Sequence, residues 1–177
     1  MPHLANVREN IGKWLLMRSS QNEKSEMLKS MKQTKNIGIV YNATDFSAKE
    51  LTKVVHFFEA EGKQVKTLGY VDAKEKRDEH LSHGSDVFFS RKELSFWLIP
   101  KGEEVERFLK EEFDFLINLD CKGLFPLQAI SAKSNAKIKM AKYLNQYEFA
   151  HDFMASSNTM DELELFNDLK KYILNDE

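Results

Sequence analysis

Apolar and polar positions follow two rhythms along this chain, and the changes between them mark out its elements. Asn36-Ile37-Gly38-Ile39-Val40-Tyr41-Asn42 is a short, β-branched apolar run of the kind a strand buried on both faces requires. The polar turn Ala43-Thr44-Asp45-Phe46-Ser47 follows, then a helical pattern through Gly62 that puts Leu51, Val54, Val55 and Phe58 on one side. Ser47 and Glu50 have capping-box spacing, and Gly62 supplies a stop. A second strand is predicted from Gln64 to Asp72, carrying Val65, Leu68 and Val71. Strand, helix and strand in this order open a doubly wound, mostly parallel α/β sheet.

The same two rhythms continue. Ala73 to Ser85 is charged and predicts a loop or a frayed helix, and Asp86-Val87-Phe88-Phe89 a third strand. Ser90 is placed to cap a turn containing Leu94, Phe96 and Trp97, and Pro100-Lys101-Gly102 punctuates the chain. Glu103 to Glu112 predicts a helix burying Val105, Phe108 and Leu109, and Phe113 to Asp120 is the second strongly apolar strand. A helix is predicted over Leu124 to Lys133, where Pro126 is tolerated in the first turn. Strands are predicted at Ala136 to Ala141 and Phe149 to Met154. Thr159 and Glu162 repeat the capping-box spacing ahead of a last helix burying Leu163, Phe166, Leu169, Tyr172 and Ile173. The expected architecture is a three-layer, Rossmann-like α/β fold with a mostly parallel sheet.

Ahead of the first strand, Leu4, Val7, Ile11, Trp14 and Leu15 fall at helical spacing, and Glu23 to Lys32 can form a second, polar helix. This divides the chain into an N-terminal helical extension, residues 1–35, and a single α/β domain, residues 36–177. The extension is net basic and the stretch from Glu148 onward is acidic, so the two ends either attract each other or present a partner-facing arm. Trp14 and Arg18 are the residues of that arm best suited to a protein partner or a second copy of the chain; a tryptophan with basic neighbours also suits a membrane surface.

Composition narrows the classes. In 177 residues, 42% hydrophobic and 31% charged with a formal net charge of -2, nothing global points to nucleic acid. One cysteine, Cys121, excludes an intramolecular disulfide and fits a reducing, cytoplasmic setting. No apolar run approaches the roughly 20 residues that a transmembrane helix needs, and Trp14-Leu15-Leu16-Met17 is too short for a secretory signal core.

Candidate chemistry is sparse. In nucleotide-binding members of this fold class the turn after the first strand is glycine-rich, so that backbone can approach a pyrophosphate; here residues 43–47 contain no glycine. Ligands in open α/β sheets sit beyond the carboxyl ends of the strands. That rule selects Asn42, Thr44 and Asp45 after the first strand, Asp72 after the second, and Asn118 and Asp120 after the Phe113 strand, with Cys121 and Lys122 beside them. These carboxylates and amides can hold a ribose, a sugar or magnesium, or they can simply cap turns. A cation next to Cys121 could lower its thiol pKa, or the cysteine is a small buried residue. His80 and His83, with Asp78 or Glu79, are spaced for a metal but sit in a charged loop and match no metal-binding motif. Lys133, Lys137, Lys139 and Lys142, with Tyr143 and Tyr147, suggest an RNA-contacting edge. Lys137 and Lys139 also fit the outer face of a half-exposed edge strand. No metal, cofactor or catalytic set is expected from these patterns.

Two resemblances bear on this. Ile37-Gly38-Ile39-Val40-Tyr41-Asn42-Ala43-Thr44-Asp45, Val65-Lys66-Thr67-Leu68-Gly69-Tyr70 and Phe113-Asp114-Phe115-Leu116-Ile117-Asn118-Leu119 resemble an uncharacterised bacterial family, a domain of unknown function. Phe113 to Ala141, with Ala129, Ala132 and Lys137-Ile138-Lys139, is similar to a segment in the N-terminal half of heptosyltransferase-like glycosyltransferases. Those enzymes use two Rossmann-like domains, and this chain has room for one and lacks an evident match to their catalytic base. The expectation is a cytoplasmic, non-catalytic binding or interaction protein. Its alternatives are a small enzyme or degenerate glycosyltransferase-like domain binding a nucleotide or sugar phosphate, and an RNA- or ribosome-associated factor.

Overall fold

β1 (Asn36–Asn42) runs through the middle of the sheet, buried at every position after the first. The computed structural model describes residues 2–19, 34–75 and 86–174, with side chains in the first of these described from Asn6 to Met17. The predicted Glu23–Lys32 helix, the His80 and His83 pair and the side chain of Arg18 lie outside the described residues.

The sequence after β1 folds as its signals require. Ser47 caps α2 (Ala48–Ala60) with a complete capping box to Glu50, and Leu51, Val54 and Phe58 form the buried face. β2 (Gln64–Val71) then pairs with β1, and β3 (Asp86–Ser90) pairs with β2. α3 (Glu103–Leu109) carries the chain back across the sheet to β4 (Phe115–Asn118) on the other side of β1. α4 (Phe125–Lys133), β5 (Ile138–Lys142), β6 (Phe153–Ala155) and α5 (Glu162–Leu174) complete the order. The six strands lie in the order β3-β2-β1-β4-β5-β6. Every neighbouring pair is parallel.

Alternation along β1 sorts the layers. Ile37, Ile39 and Tyr41 pack with Leu51, Val54 and Phe58 of α2 and with Leu165, Phe166, Leu169 and Ile173 of α5. Val40 faces the opposite layer, with Val105, Phe108 and Leu109 of α3 and Leu127 and Ile130 of α4. The result is the three-layer α/β arrangement, and burying each such side chain contributes about 1.5–3 kcal/mol. α1 (Pro2–Ser19) lies against α4, where Leu16 joins Phe125, Ala129 and Tyr147. Gly12 permits this approach: a Cβ there would lie 2.5 Å from the Trp97 carbonyl oxygen and 2.7 Å from the Phe125 ring. Among the described residues, no helix is long and apolar enough to cross a membrane.

Several boundaries differ from expectation. α3 stops at Leu109 rather than Glu112, and β4 loses two residues at each end of the predicted strand. Residues Asn145–Ala150 wind into 3-10 turns, leaving only Phe153–Ala155 as a strand, so His151 precedes β6 instead of lying on it. The start of α5 is held by Asp161, whose Oδ1 accepts the Glu164 amide at 2.9 Å. Thr159 instead accepts the Asp161 amide (3.0 Å) and donates to the Glu164 carboxylate (2.6 Å), so Thr159 and Glu162 form no capping box.

The edge-strand reading of the lysines is also corrected. β5 is an interior strand because β6 covers its outer side. Lys139 is only 7% exposed, and Lys142 is likewise buried with its amine on the Thr159 carbonyl at 2.6 Å. Lys137 precedes the strand and binds Asp114 at 2.7 Å. Lys139 is therefore no surface contact, and the four lysines do not form an exposed basic edge.

Candidate binding site at the carboxyl edge of the sheet

The chain leaves β1 toward β2 on one side, and β4 begins the other half of the sheet, so the carboxyl ends of β1 and β4 flank the switch point. Asn42 closes the β1 turn on itself. Its Oδ1 accepts the Thr44 amide at 3.0 Å, and its Nδ2 donates to Asp45 Oδ2 at 2.5 Å. The same Asp45 oxygen receives Lys122 Nζ at 2.6 Å, which ties the β1 turn to the turn after β4. Thr44 Oγ1 accepts the Asp72 amide at 2.9 Å. Asp72 in turn accepts the Tyr70 hydroxyl at 2.9 Å and Arg91 Nε at 2.8 Å. The Arg91 hydrogen bond, against some desolvation, holds the Asp72 carboxyl below its ordinary range.

Asn118 and Asp120 serve the fold beneath this surface. Asn118 Nδ2 donates to the Leu127 carbonyl (3.3 Å) and Ser131 Oγ (3.1 Å), while its Oδ1 accepts the Asp120 amide at 3.0 Å. Asp120 is 1% exposed and accepts the amides of Lys122 (2.9 Å) and Leu124 (2.5 Å) and the Gln128 side chain (2.7 Å). Burial raises its pKa, and these donors act against that rise. Gly123, at φ 74°, lets the turn reverse into α4. Cys121 is buried, and desolvation, reinforced by Glu162, pushes its thiol up to about 12. The adjacent Lys122 does not activate it, since its amine is engaged by Asp45.

Beside this edge, where α1 crosses the sheet end, lies a cavity of about 520 Å³. α1 supplies Arg8 and Glu9, the end of β2 supplies Tyr70 and Asp72, and the β3 exit supplies Arg91, Leu94, Ser95 and Leu98. Gly123 to Pro126, leading into α4, close the remaining side. Leu98 sits at φ 62°, the one described non-glycine residue in the left-handed region, at a cost of order 1–2 kcal/mol. The Ser95 hydroxyl and carbonyl brace that turn by accepting the Ile99 and Leu98 amides.

α1 is fixed over the cavity by polar contacts as well as by Gly12. The Tyr147 hydroxyl donates to Glu9 at 2.9 Å and lies 3.2 Å from the Gly123 carbonyl, and Glu9 also pairs with Lys13 at 2.8 Å. Arg8 Nε donates to the Phe96 carbonyl, and its guanidinium lies 4.7 Å from the Phe96 ring centroid.

The strand-end rule therefore brought Asn42, Thr44, Asp45 and Asp72 into one connected polar edge. Only Asp72 among the six predicted residues lines the cavity. Trp14 lies elsewhere, on the outer side of α1 and 53% exposed. Arg8, Glu9, Tyr70 and Arg91 were not singled out by the sequence. Arg91 had a usable signal, since it follows the capping Ser90 at a strand exit; Arg8 had none, because nothing local in a helix shows which strand end it will cross. Among the described residues, no three His, Cys, Asp or Glu side chains gather as metal ligands.

Comparison with protein-family models gives a match. The model of DUF6913, a family of unknown function, covers residues 8–174, and the chain belongs to that family. No curated protein and no solved structure matches, so the likeness to glycosyltransferases gains no support.

Proposed function

We propose that this member of DUF6913 is a non-catalytic α/β binding protein that holds a small ligand in the cavity between α1, the β2 and β3 exits and the start of α4. The cavity carries the reading: about 520 Å³ falls within the range of small-molecule sites, and its wall mixes apolar side chains with a few charged ones. The nearby groups of reactive type are already engaged. Asp120 is enclosed by its own turn, Asp45 is held by Asn42 and Lys122, and the Cys121 thiol stays protonated. A single, buried, protonated cysteine also suits the reducing cytoplasm.

Native mass spectrometry of the full chain, purified gently from its source cells, tests this. The expected result is a retained small mass that is lost when Ser95→Phe fills the cavity. Retention of that mass by a folded Ser95→Phe protein would place the ligand elsewhere. Turnover that depends on Asp45 or Asp72 would replace the reading with the small-enzyme alternative, in which a nucleotide or sugar phosphate sits at the strand ends.

A second reading rests on α1. Val7, Trp14 and Met17 share the side of the helix turned from α4, and each is half exposed or more. That side suits a protein partner or another copy of the chain. Concentration-dependent self-association abolished by Trp14→Ser would support a homo-oligomer.

A further inference from the structure

Resting on the cavity reading above, we propose that the ligand is an amphipathic oxyanion: a carboxylate or phosphate ester on an apolar body, with Arg8 as its main grip. The inference comes from how the charges at the cavity are already matched. Glu9 is satisfied by Lys13 and the Tyr147 hydroxyl, and Asp72 by Arg91 and the Tyr70 hydroxyl. Both acids of the wall thus have their cations or donors within the protein.

Arg8 is different. Among the described residues its hydrogen bonding is the Nε donation to the Phe96 carbonyl, and its charge lies over the Phe96 ring. Those contacts fix the plane of the guanidinium and leave its two terminal nitrogens without an acceptor among the described residues. No described carboxylate pairs with it. A guanidinium held by Nε and by its face is preorganised for bidentate capture of an oxyanion through its remaining donors. Arg91 lines the same wall with its charge paired to Asp72 through Nε, which leaves Arg8 as the unpaired cation there among the described residues.

The rest of the lining sets the other half of the ligand. Leu94, Leu98, Phe125 and Pro126 offer apolar surface, so a bare inorganic anion would leave most of the cavity unfilled. With Glu9 and Asp72 also present in the wall, a compact ion of high charge is disfavoured relative to an anion that brings apolar area with it.

Calorimetric titration of the full chain with phenyl phosphate, benzoate, inorganic phosphate and the neutral aromatic phenol tests this. At least one of the two aromatic anions is expected to bind tenfold or more tightly than phenol and inorganic phosphate, and the better of the two tells phosphate ester from carboxylate. Arg8→Gln should weaken that anion at least tenfold with phenol unchanged, and Arg8→Lys should recover only part of the loss because it lacks the planar fork. A thermal melt confirms that each variant is folded. Binding of phenol as tight as that of both anions, or anion binding indifferent to Arg8→Gln, overturns the oxyanion assignment and leaves the cavity reading standing. Failure of both anions to bind at millimolar concentration also overturns it. The retained mass and its loss in Ser95→Phe decide the cavity reading separately.

Discussion

Asp120 shows how a residue of catalytic type can be committed to its own turn. Its carboxylate receives two backbone amides and the Gln128 side chain at 1% exposure. Removing it leaves those donors buried without an acceptor, which costs more than the hydrogen bonds themselves contributed. Asp120→Ala is expected to lower stability by about 2–4 kcal/mol, seen as a lower urea midpoint, with Asp120→Asn losing less. An unchanged midpoint would mean that the carboxylate is not what holds the turn. The sequence placed Asp120 and Asn118 correctly at a strand exit. It could not tell capping from ligand binding, because both uses want the same short polar side chain in the same place. What separates them is the position of Gln128 and Ser131 on the following helix, which only the turn around Gly123 determines.

At the scale of elements, the strongest patterns survived and the weakest were rearranged. β1 and α2 formed as expected, since a β-branched run and a capping box are local properties that packing reinforces. β5 was misplaced in the sheet rather than in the chain. Alternating lysines suggested an edge; the sequence predicted a strand at Phe149 to Met154, of which only Phe153–Ala155 forms after the 3-10 turns of Asn145–Ala150, but local pattern did not show that this strand pairs outside β5. Lys139 is consequently enclosed, and burial lowers its pKa. For α1, the legible stripe was the wrong guide: Val7 and Trp14 face outward, while Gly12 and Leu16 make the contact with α4. Gly12→Ala should therefore loosen the helix, because neither the Trp97 carbonyl nor the Phe125 ring is the flexible end of a side chain. We expect a cost of about 1–3 kcal/mol and faster proteolytic removal of α1, read by limited digestion. Digestion unchanged from the parent protein would show that α1 is held chiefly by its polar contacts.

For the whole molecule, acid is a sensitive axis. Burial lowers the His151 pKa from 6.5 to about 4; the Lys139 charge adds to the effect, and the hydrogen bond between Nδ1 and the Tyr147 carbonyl, at 3.3 Å, opposes it. The folded chain then binds fewer protons than the unfolded chain between these values, so this contribution to stability is intact above pH 6.5 and declines toward pH 4. Asp114 continues the trend below it. Burial alone would raise its pKa, but hydrogen bonds from Lys137 and the amides of Lys35 and Asn36 bring it down to about 2. Asp120 and Glu162, raised by burial, act in the opposite sense, so the His151 share has to be isolated by difference. Between pH 7 and 4.5, the parent protein should lose about 2–3 kcal/mol more than His151→Gln, measured by urea unfolding at both values. Equal losses would place a proton on His151 in the folded state.

The parallel order of the strands also has a temporal side. Asn36 and Asp114, joined across the start of β1 and β4, are 78 residues apart in the chain. At about 5–20 residues per second of synthesis, β1 waits on the order of 4–16 s for β4 after it has left the ribosome. During that interval the half-sheet of β1, β2 and β3 presents β1 as an open edge, with Ile37 and Ile39 lacking their neighbours Phe115 and Ile117. No hairpin among the described strands can shield it sooner, because none of their pairings in the sheet is antiparallel. The nascent protein is therefore most exposed to aggregation, and most in need of chaperones, in the interval between the synthesis of β1 and that of β4.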